Sequence, residues 1–138
     1  MFKKIYIEIT NVCNLKCKFC PETIRDKRFM SVLDFEKIVS NVQSYTNLVC
    51  LHVKGEPLLH NQLGDILKIL EEYNLKANIT TNGTLIKEKL DILKNSKAVR
   101  QINFSIHSIM QNKALNKQYL LDIFESVEQL ENVIVSYK

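Results

Sequence analysis

The sequence lacks a hydrophobic run long enough to cross a membrane, which would need about 20 consecutive apolar residues. It also lacks the apolar segment of a secretory signal peptide, because the stretch after Lys3 and Lys4 is interrupted by Glu8. We therefore expect a cytoplasmic protein with no membrane partner.

A strong excess of one charge is missing too. The 19 Lys and Arg residues exceed the 15 Asp and Glu residues by only four, and they are spread along the chain, so no nucleic-acid partner is indicated. Four cysteines in 138 residues are too few and too clustered for a disulfide framework, which favours a reducing compartment. With 46% hydrophobic residues and no tryptophan, the composition is typical of one soluble domain with a core.

Three of the cysteines follow a C-x3-C-x2-C spacing directly after a strand-like segment: Cys13, Cys17 and Cys20. A structural zinc site takes four protein ligands, usually as two separated C-x2-C pairs, whereas three thiolates on a cubane iron–sulfur cluster leave one iron open. An open metal position suggests chemistry. His52 and His60 could supply a fourth zinc ligand, but we interpret both as packed side chains. A zinc knuckle or buried thiols remain the alternatives.

Strand-like and helix-like segments alternate along the chain. Strands are predicted at residues 5–9, 48–53, 78–81, 101–106 and 133–137, and helices at residues 31–45, 61–73, 87–95 and 116–130. Ser31 and Asp34 predict a capping box at the first helix. This order indicates an α/β fold with a parallel sheet, and the apolar strands predict burial on both sheet faces. Cys50 lies within the second strand, which indicates a core position.

Chemically suggestive residues follow the strands at their carboxyl ends. Gly55 and Glu56 come after the second strand, Asn82 and Gly83 after the third, and Ser105 with His107 at the end of the fourth. In parallel α/β folds that edge binds ligands, so these residues should converge with the cysteines. The chain stops after the fifth strand, which leaves an unpaired edge, and we expect a truncated protein or a fragment of a longer enzyme.

Three motifs together resemble the radical S-adenosylmethionine (radical SAM) superfamily: the cysteine motif, Gly-Glu-Pro-Leu-Leu-His at residues 55–60, and Thr-Thr-Asn-Gly-Thr at residues 80–84. The resemblance covers nearly the whole chain and is greatest to members with a C-terminal auxiliary-cluster domain, typically peptide or protein maturases. It implies a partial parallel (β/α) barrel, of which residues 1–138 would supply about four and a half of six β/α units as a single truncated core domain.

The resemblance also implies the cofactors and the activity. The three cysteines would hold a [4Fe–4S] cluster, and S-adenosylmethionine would chelate the open iron through its amino and carboxylate groups. Reductive cleavage would then give a 5′-deoxyadenosyl radical that abstracts hydrogen from an unknown substrate, possibly a peptide or protein. The electron donor would be a protein such as flavodoxin or ferredoxin. The alternative is a truncated, non-catalytic remnant that only binds an iron–sulfur cluster or zinc.

Five further residues would contact S-adenosylmethionine. Phe19 matches an aromatic residue beside the adenine, or is a hydrophobic loop anchor. Gly55 and Glu56 match the last two positions of a Gly-Gly-Glu motif that meets the methionine ammonium, with Lys54 in place of the first glycine. Asn82 either lines the cofactor cleft or forms a turn, and Ser105 either offers a hydroxyl to the cofactor or fills the strand.

Two features near this predicted site have less specific interpretations. His107 could face the substrate. Arg25, Lys27 and Arg28 form a basic loop after the cysteines. We favour a solvated loop, with docking of an acidic substrate or electron donor as the alternative.

Overall fold

A computed structural model describes residues 1–21, 23–110, 112 and 115–138. The strands are β1 (Ile5–Tyr6), β2 (Leu48–Cys50), β3 (Lys76–Thr81), β4 (Val99–Phe104) and β5 (Ile134–Tyr137). The α-helices are α1 (Val32–Val42), α2 (Leu63–Glu72), α3 (Ile86–Asn95) and α4 (Lys117–Val127), and short 3₁₀ helices span Pro57–Leu59 and Ile106–Met110. No helix in the described part of the chain is long and apolar enough to cross a bilayer.

The five strands form one sheet in chain order, and every neighbouring pair is parallel. Each helix connects two adjacent parallel strands, as the alternating sequence predicts. The predicted α/β fold is therefore confirmed. The carboxyl ends of the strands meet at one edge of the sheet, which we call the rim.

One face of the sheet packs on the helices and forms the hydrophobic core. Alternate strand residues point to it, except at an irregularity near the start of β4, and the four helices contribute their apolar sides. The α1 helix illustrates the local cause. Ser31 caps it by accepting from the Asp34 N–H at 3.1 Å, and Phe35 and Val39, four residues apart, are fully buried.

The opposite face is polar, which overturns the prediction of apolar burial on both faces. Strand register aligns two rows of side chains across it, the first with Tyr6, Cys50, Asn78, Gln101 and Ile134 and the second with Thr80, Asn103 and Ser136. Most of these side chains are half-buried or exposed and carry amides or hydroxyls. We call this surface the polar face.

Strands β1 and β2 end earlier than predicted. The strand-like sequence continues to residue 9 and residue 53, but Ile9 accepts from the Met30 N–H at 2.8 Å instead of pairing with β2. Strands β1 and β2 separate there because the segment after β1 turns to form the cysteine-bearing loop. We call residues 10–21 the cysteine loop.

Candidate functional site

A cavity of about 160 Å³ opens at the rim, and all eight residues predicted to form the site line it. They come from the cysteine loop and from the ends of β2, β3 and β4: Cys13, Cys17, Phe19, Cys20, Gly55, Glu56, Asn82 and Ser105. The structure therefore brings together residues that lie up to 92 positions apart, which is the separation between Cys13 and Ser105. We call this space the rim cavity.

The cysteine sulfurs have polar neighbours suited to thiolates. The Asn82 amide donates to the Cys13 sulfur at 3.8 Å, and the Asn112 amide donates to the Cys17 sulfur at 3.5 Å. The Cys17 thiol lies 3.7 Å from the Ser108 hydroxyl. Hydrogen bonds to sulfur stabilise metal-bound thiolates and tune the metal. Without a metal, burial raises the pKa of the Cys13 thiol.

The same cysteines do not form a preassembled site for a single ion. Within the described ranges, no three His, Cys, Asp or Glu side chains are placed to hold one metal ion. Thiolates on one tetrahedral zinc would lie about 3.8 Å apart, given Zn–S bonds of about 2.3 Å. Thiolates on a cubane sit on different irons and spread further. Three thiols lining one cavity match the three irons that a protein must ligate when the fourth iron of a cubane stays open.

The two histidines considered as zinc ligands differ in their surroundings. His60 is 1% exposed, and both ring nitrogens are used: Nδ1 accepts from the Gln62 N–H, so Nε2 donates to the Met30 carbonyl at 2.9 Å. His52 lines the rim cavity, and its Nδ1 accepts from the Thr80 N–H at 3.3 Å. Its interpretation as only a packed side chain is therefore incomplete, because it faces the cavity.

Glu56 is a buried carboxylate that ties together two rim loops. It is 2% exposed, and it accepts from the Thr81 hydroxyl at 2.6 Å, the Asn82 N–H at 2.7 Å and the Leu58 N–H at 3.0 Å. Burial raises its pKa despite these donors. Both carboxylate oxygens of Glu56 already accept hydrogen bonds. Its main structural role is therefore to fix the loop after β2 against the loop after β3.

Gly55 is required by close approach of the cysteine loop. Its φ is +76°, and a Cβ there would lie 2.4 Å from the Thr10 carbonyl oxygen and 2.8 Å from that of Val12. The next residue, Glu56, donates its N–H to the Val12 carbonyl at 2.7 Å. The loop after β2 therefore supports the backbone just before Cys13.

Lys54, which departs from the glycine expected there, also supports the cysteine loop. Its ammonium donates to the Pro21 carbonyl at 2.5 Å, and its N–H donates to the Glu8 carboxylate at 2.9 Å. Arg25 pairs with the same carboxylate at 2.8 Å, so the predicted solvated loop is anchored at this residue. Because the Arg25 side chain is 57% exposed, the pair itself contributes little stability.

Asn82 connects β3 to the cysteine loop and also accepts a hydrogen bond from helix α4. Its amide donates to Asn14 at 2.9 Å, and its carbonyl accepts from the Tyr119 hydroxyl at 2.5 Å. Gly83 forms the predicted turn with φ of +78°, and a Cβ there would lie 2.7 Å from Ile123. Asn82 therefore belongs to this turn and also lines the rim cavity.

Phe19, Ser105 and His107 form the far side of the rim. Phe19 is 48% exposed, and its ring lies 4.3 Å from that of His107 at an angle of 56°. Ser105 directly follows β4 and lines the rim cavity. Cys50 is 2% exposed, as predicted for a packed position, but its register with Tyr6 and Asn78 places it on the polar face.

Removing the Tyr119 hydroxyl should loosen this arrangement measurably. Tyr119→Phe leaves the buried Asn82 carbonyl without its donor, and we expect a loss of about 1–2 kcal/mol in the free energy of unfolding, measured by urea titration at pH 7. Burial raises the pKa of Tyr119 to about 12. The unfolded tyrosine ionises first, near pH 10, so wild type should lose stability above pH 10 more steeply than the variant.

The control for that experiment is Tyr45→Phe, which changes a tyrosine that is 56% exposed. It should leave the unfolding free energy within about 0.5 kcal/mol of wild type. Equal losses in the two variants would contradict the role assigned to Tyr119.

Several supporting residues were not identified from the sequence. Tyr119, Ser108 and Asn112 lie on or beside helices far along the chain from the cysteines, and no local motif marks them. Thr81 was only part of a turn motif, but it donates to Glu56. Tyr119, Ser108 and Asn112 are identified only because α4 and the 3₁₀ helix Ile106–Met110 approach the rim in three dimensions.

Comparison with known proteins agrees with this geometry. The model of the family described as "Radical SAM superfamily" matches residues 7–134. A GTP 3′,8-cyclase of Aquifex aeolicus (strain VF5) is 31% identical over an alignment that covers 91% of this chain and 42% of that protein. The chain thus spans less than half the length of this relative.

Two solved structures show the same fold. Streptococcus suis SuiB, solved with S-adenosylmethionine and with its precursor peptide SuiA, has 30% identity and a TM-score of 0.64 over 74% of this chain and 24% of SuiB. BtrN in complex with AdoMet and 2-DOIA has a TM-score of 0.74 over 99% of this chain and 57% of BtrN, and at 21% identity it supports the fold alone. The predicted partial-barrel architecture is confirmed by these likenesses.

Proposed function

The chain belongs to the radical SAM superfamily, and on this premise we propose that residues 1–138 form a core domain that cleaves S-adenosylmethionine reductively at the rim cavity. The cofactors of this family are a [4Fe–4S] cluster and S-adenosylmethionine. The observation that carries the proposal is that three cysteines and five predicted cofactor contacts line one cavity.

The donor set fits the cluster. Three thiols on one loop would take three irons, and the Asn82 and Asn112 amides already face two of the sulfurs. S-adenosylmethionine would bind in the rim cavity, which the three cysteines line. When bound, the two cofactors supply reductive cleavage of a carbon–sulfur bond that leads to abstraction of a hydrogen atom from substrate.

The chain's own residues would bind and orient these groups. Glu56 holds the loops after β2 and β3 together, so that carbonyls near Gly55 and the amide of Asn82 have fixed positions beside the cysteines. An ammonium needs such acceptors when it is taken out of water. Phe19 is exposed enough to pack on an adenine, and Ser105 supplies a hydroxyl from the end of β4.

The partners and the compartment follow from this activity. An electron donor of the flavodoxin or ferredoxin type would reduce the cluster, and a peptide substrate is supported by the likeness to SuiB, which was solved with its precursor peptide. A cytoplasmic location is supported by four free cysteines in the structure.

The test is anaerobic loading with iron and sulfide, reduction, and measurement of 5′-deoxyadenosine by liquid chromatography and mass spectrometry. We expect a brown protein that forms 5′-deoxyadenosine only when S-adenosylmethionine and reductant are both present. A stable cluster without cleavage would indicate a non-catalytic iron–sulfur module instead. A protein that takes up no iron or sulfide would overturn both functions.

A further inference from the structure

Strand β4 contains an irregularity that changes which side chains reach the polar face. Val99 and Ile102 both lie in the core, although residues three apart in a regular strand face opposite sides. The pairing explains this: Ala77 aligns with Val99, but Asn78 aligns with Gln101, so the register shifts by one residue. The extra residue of this β-bulge is Arg100.

The bulge directs Arg100 toward the polar face. Its guanidinium donates to the Asn78 side-chain oxygen at 3.4 Å and to the Gln101 side-chain oxygen at 3.3 Å, and both of those side chains lie in the first row of that face. Arg100 remains exposed. These long contacts leave most of its five donors directed to solvent. A bulge that re-aims one side chain is common beside functional sites.

The electrostatic surroundings favour an anion. The five strands contain no Asp or Glu. Glu8, which follows β1, is already paired with Arg25 and the Lys54 N–H. Burial is the main cause that lowers the pKa of His52, and the charges of Lys138 and Lys4 lower it further, so two cations lie near this face.

We propose that Arg100, Asn78 and Gln101 form an anion subsite on the polar face that holds a phosphate group of the substrate. The Gln101 NH₂ already donates to the Asn103 side-chain oxygen at 2.8 Å, so Gln101 positions Arg100 through its oxygen. The guanidinium fork and the Asn78 NH₂ still offer more than two donors, which suits the three terminal oxygens of a phosphate better than the two of a carboxylate. Phosphate also carries nearly two negative charges at neutral pH.

The subsite also sets a length for the substrate. Arg100 precedes Ser105 by five residues, so at about 3.3 Å per residue the phosphate lies roughly 15 Å along the strand from the rim cavity. A phosphorylated substrate of that length would place its other end at the cofactor. That assignment to substrate rests on the proposed function, whereas phosphate binding itself does not.

The experiment is isothermal titration of inorganic phosphate into the full chain, before and after cluster loading. Arg100→Gln should weaken binding at least tenfold, which corresponds to about 1.4 kcal/mol, with the same loss in both forms. Arg100→Lys keeps the positive charge but loses the forked donor geometry, so its phosphate affinity should lie between those of wild type and Arg100→Gln. Because the unloaded protein is included, a failure of S-adenosylmethionine cleavage would not change this result.

The matched control is Arg28→Gln, which removes one exposed positive charge from a cavity on the outer side of β1. It should leave the phosphate affinity unchanged. Equal weakening in the two glutamine variants, or an Arg100→Gln protein that binds as wild type does, would overturn the subsite. Acetate binding as tightly as phosphate would overturn the assignment to phosphate.

A second measurement covers the case in which Arg100→Gln folds poorly. In wild-type protein, phosphate should shift the NMR amide signals of residues 78 and 101 most strongly. Shifts centred on any other part of the chain would contradict the proposal.

Discussion

After anaerobic loading, Cys17→Ala should retain roughly a tenth or less of the wild-type iron and form no detectable 5′-deoxyadenosine. Losing a supporting group around a metal already weakens affinity about 10–100-fold, and losing a direct ligand costs more. Cys17 also has two polar neighbours, Ser108 and Asn112, which would be left without their sulfur. Iron, acid-labile sulfide and product are measured on the same preparation.

The matched control is Cys50→Ala, which removes the one cysteine outside the motif. Cys50 is buried beside Tyr6 on the polar face and does not line the rim cavity. Cys50→Ala should lose a little stability, but the folded variant should bind as much iron as wild type does. Full iron content in Cys17→Ala would show that the ligands have been assigned wrongly.

Glu56→Gln should strongly destabilise the fold. One acceptor oxygen is replaced by an NH₂ group, which must face an N–H or O–H donor that now has no partner. Leaving such buried groups unpaired costs about 2–4 kcal/mol. We expect that loss in urea unfolding, together with at least a tenfold lower rate of 5′-deoxyadenosine formation, because the loops after β2 and β3 would separate.

Glu71→Gln is the matched control, since Glu71 also accepts three hydrogen bonds, from Ser96, Lys97 and Ala98. It lies at the end of the sheet opposite the rim and is more exposed. Its variant should lose less stability and keep the wild-type rate of cleavage. An equal fall in cleavage would mean that the rate reports general destabilisation.

The two carboxylates should also differ in their pH dependence. The pKa of Glu56 is raised by burial, so its contribution to stability is fully present below about pH 4.5 and is lost as the pH rises toward the folded-state pKa. The pKa of Glu71 is lowered, chiefly by the Ser96 hydroxyl, so its contribution is lost as the pH falls below about 4.5. Glu56→Gln should remove the loss of stability on raising the pH, and Glu71→Gln should remove the loss on lowering it, both measured as urea midpoints from pH 2 to pH 8.

The sequence predicted the rim well because two strong signals coincide there. The cysteine spacing is specific, and the rule that parallel strands present ligand-binding residues at their carboxyl ends places Glu56, Asn82 and Ser105 beside it. Local spacing and chain order carry this information. No long-range contact is needed to infer it.

The polar face and the supporting contacts could not be predicted in the same way. Strands of two to six residues give too few positions for the alternation of polar and apolar side chains to be distinguished from a continuous apolar run. The bulge at Arg100 depends on the register between β3 and β4, and the Tyr119 contact depends on how α4 packs. Register and packing are tertiary properties that one sequence does not display.

The central claim is that the three cysteines leave one iron of the cluster open to S-adenosylmethionine. The most direct measurement is the electron paramagnetic resonance spectrum of the reduced, loaded protein with and without S-adenosylmethionine. We expect a cluster signal whose g values change when S-adenosylmethionine is added, since a ligand then binds to the open iron. A cluster signal that is identical in the two samples would contradict it.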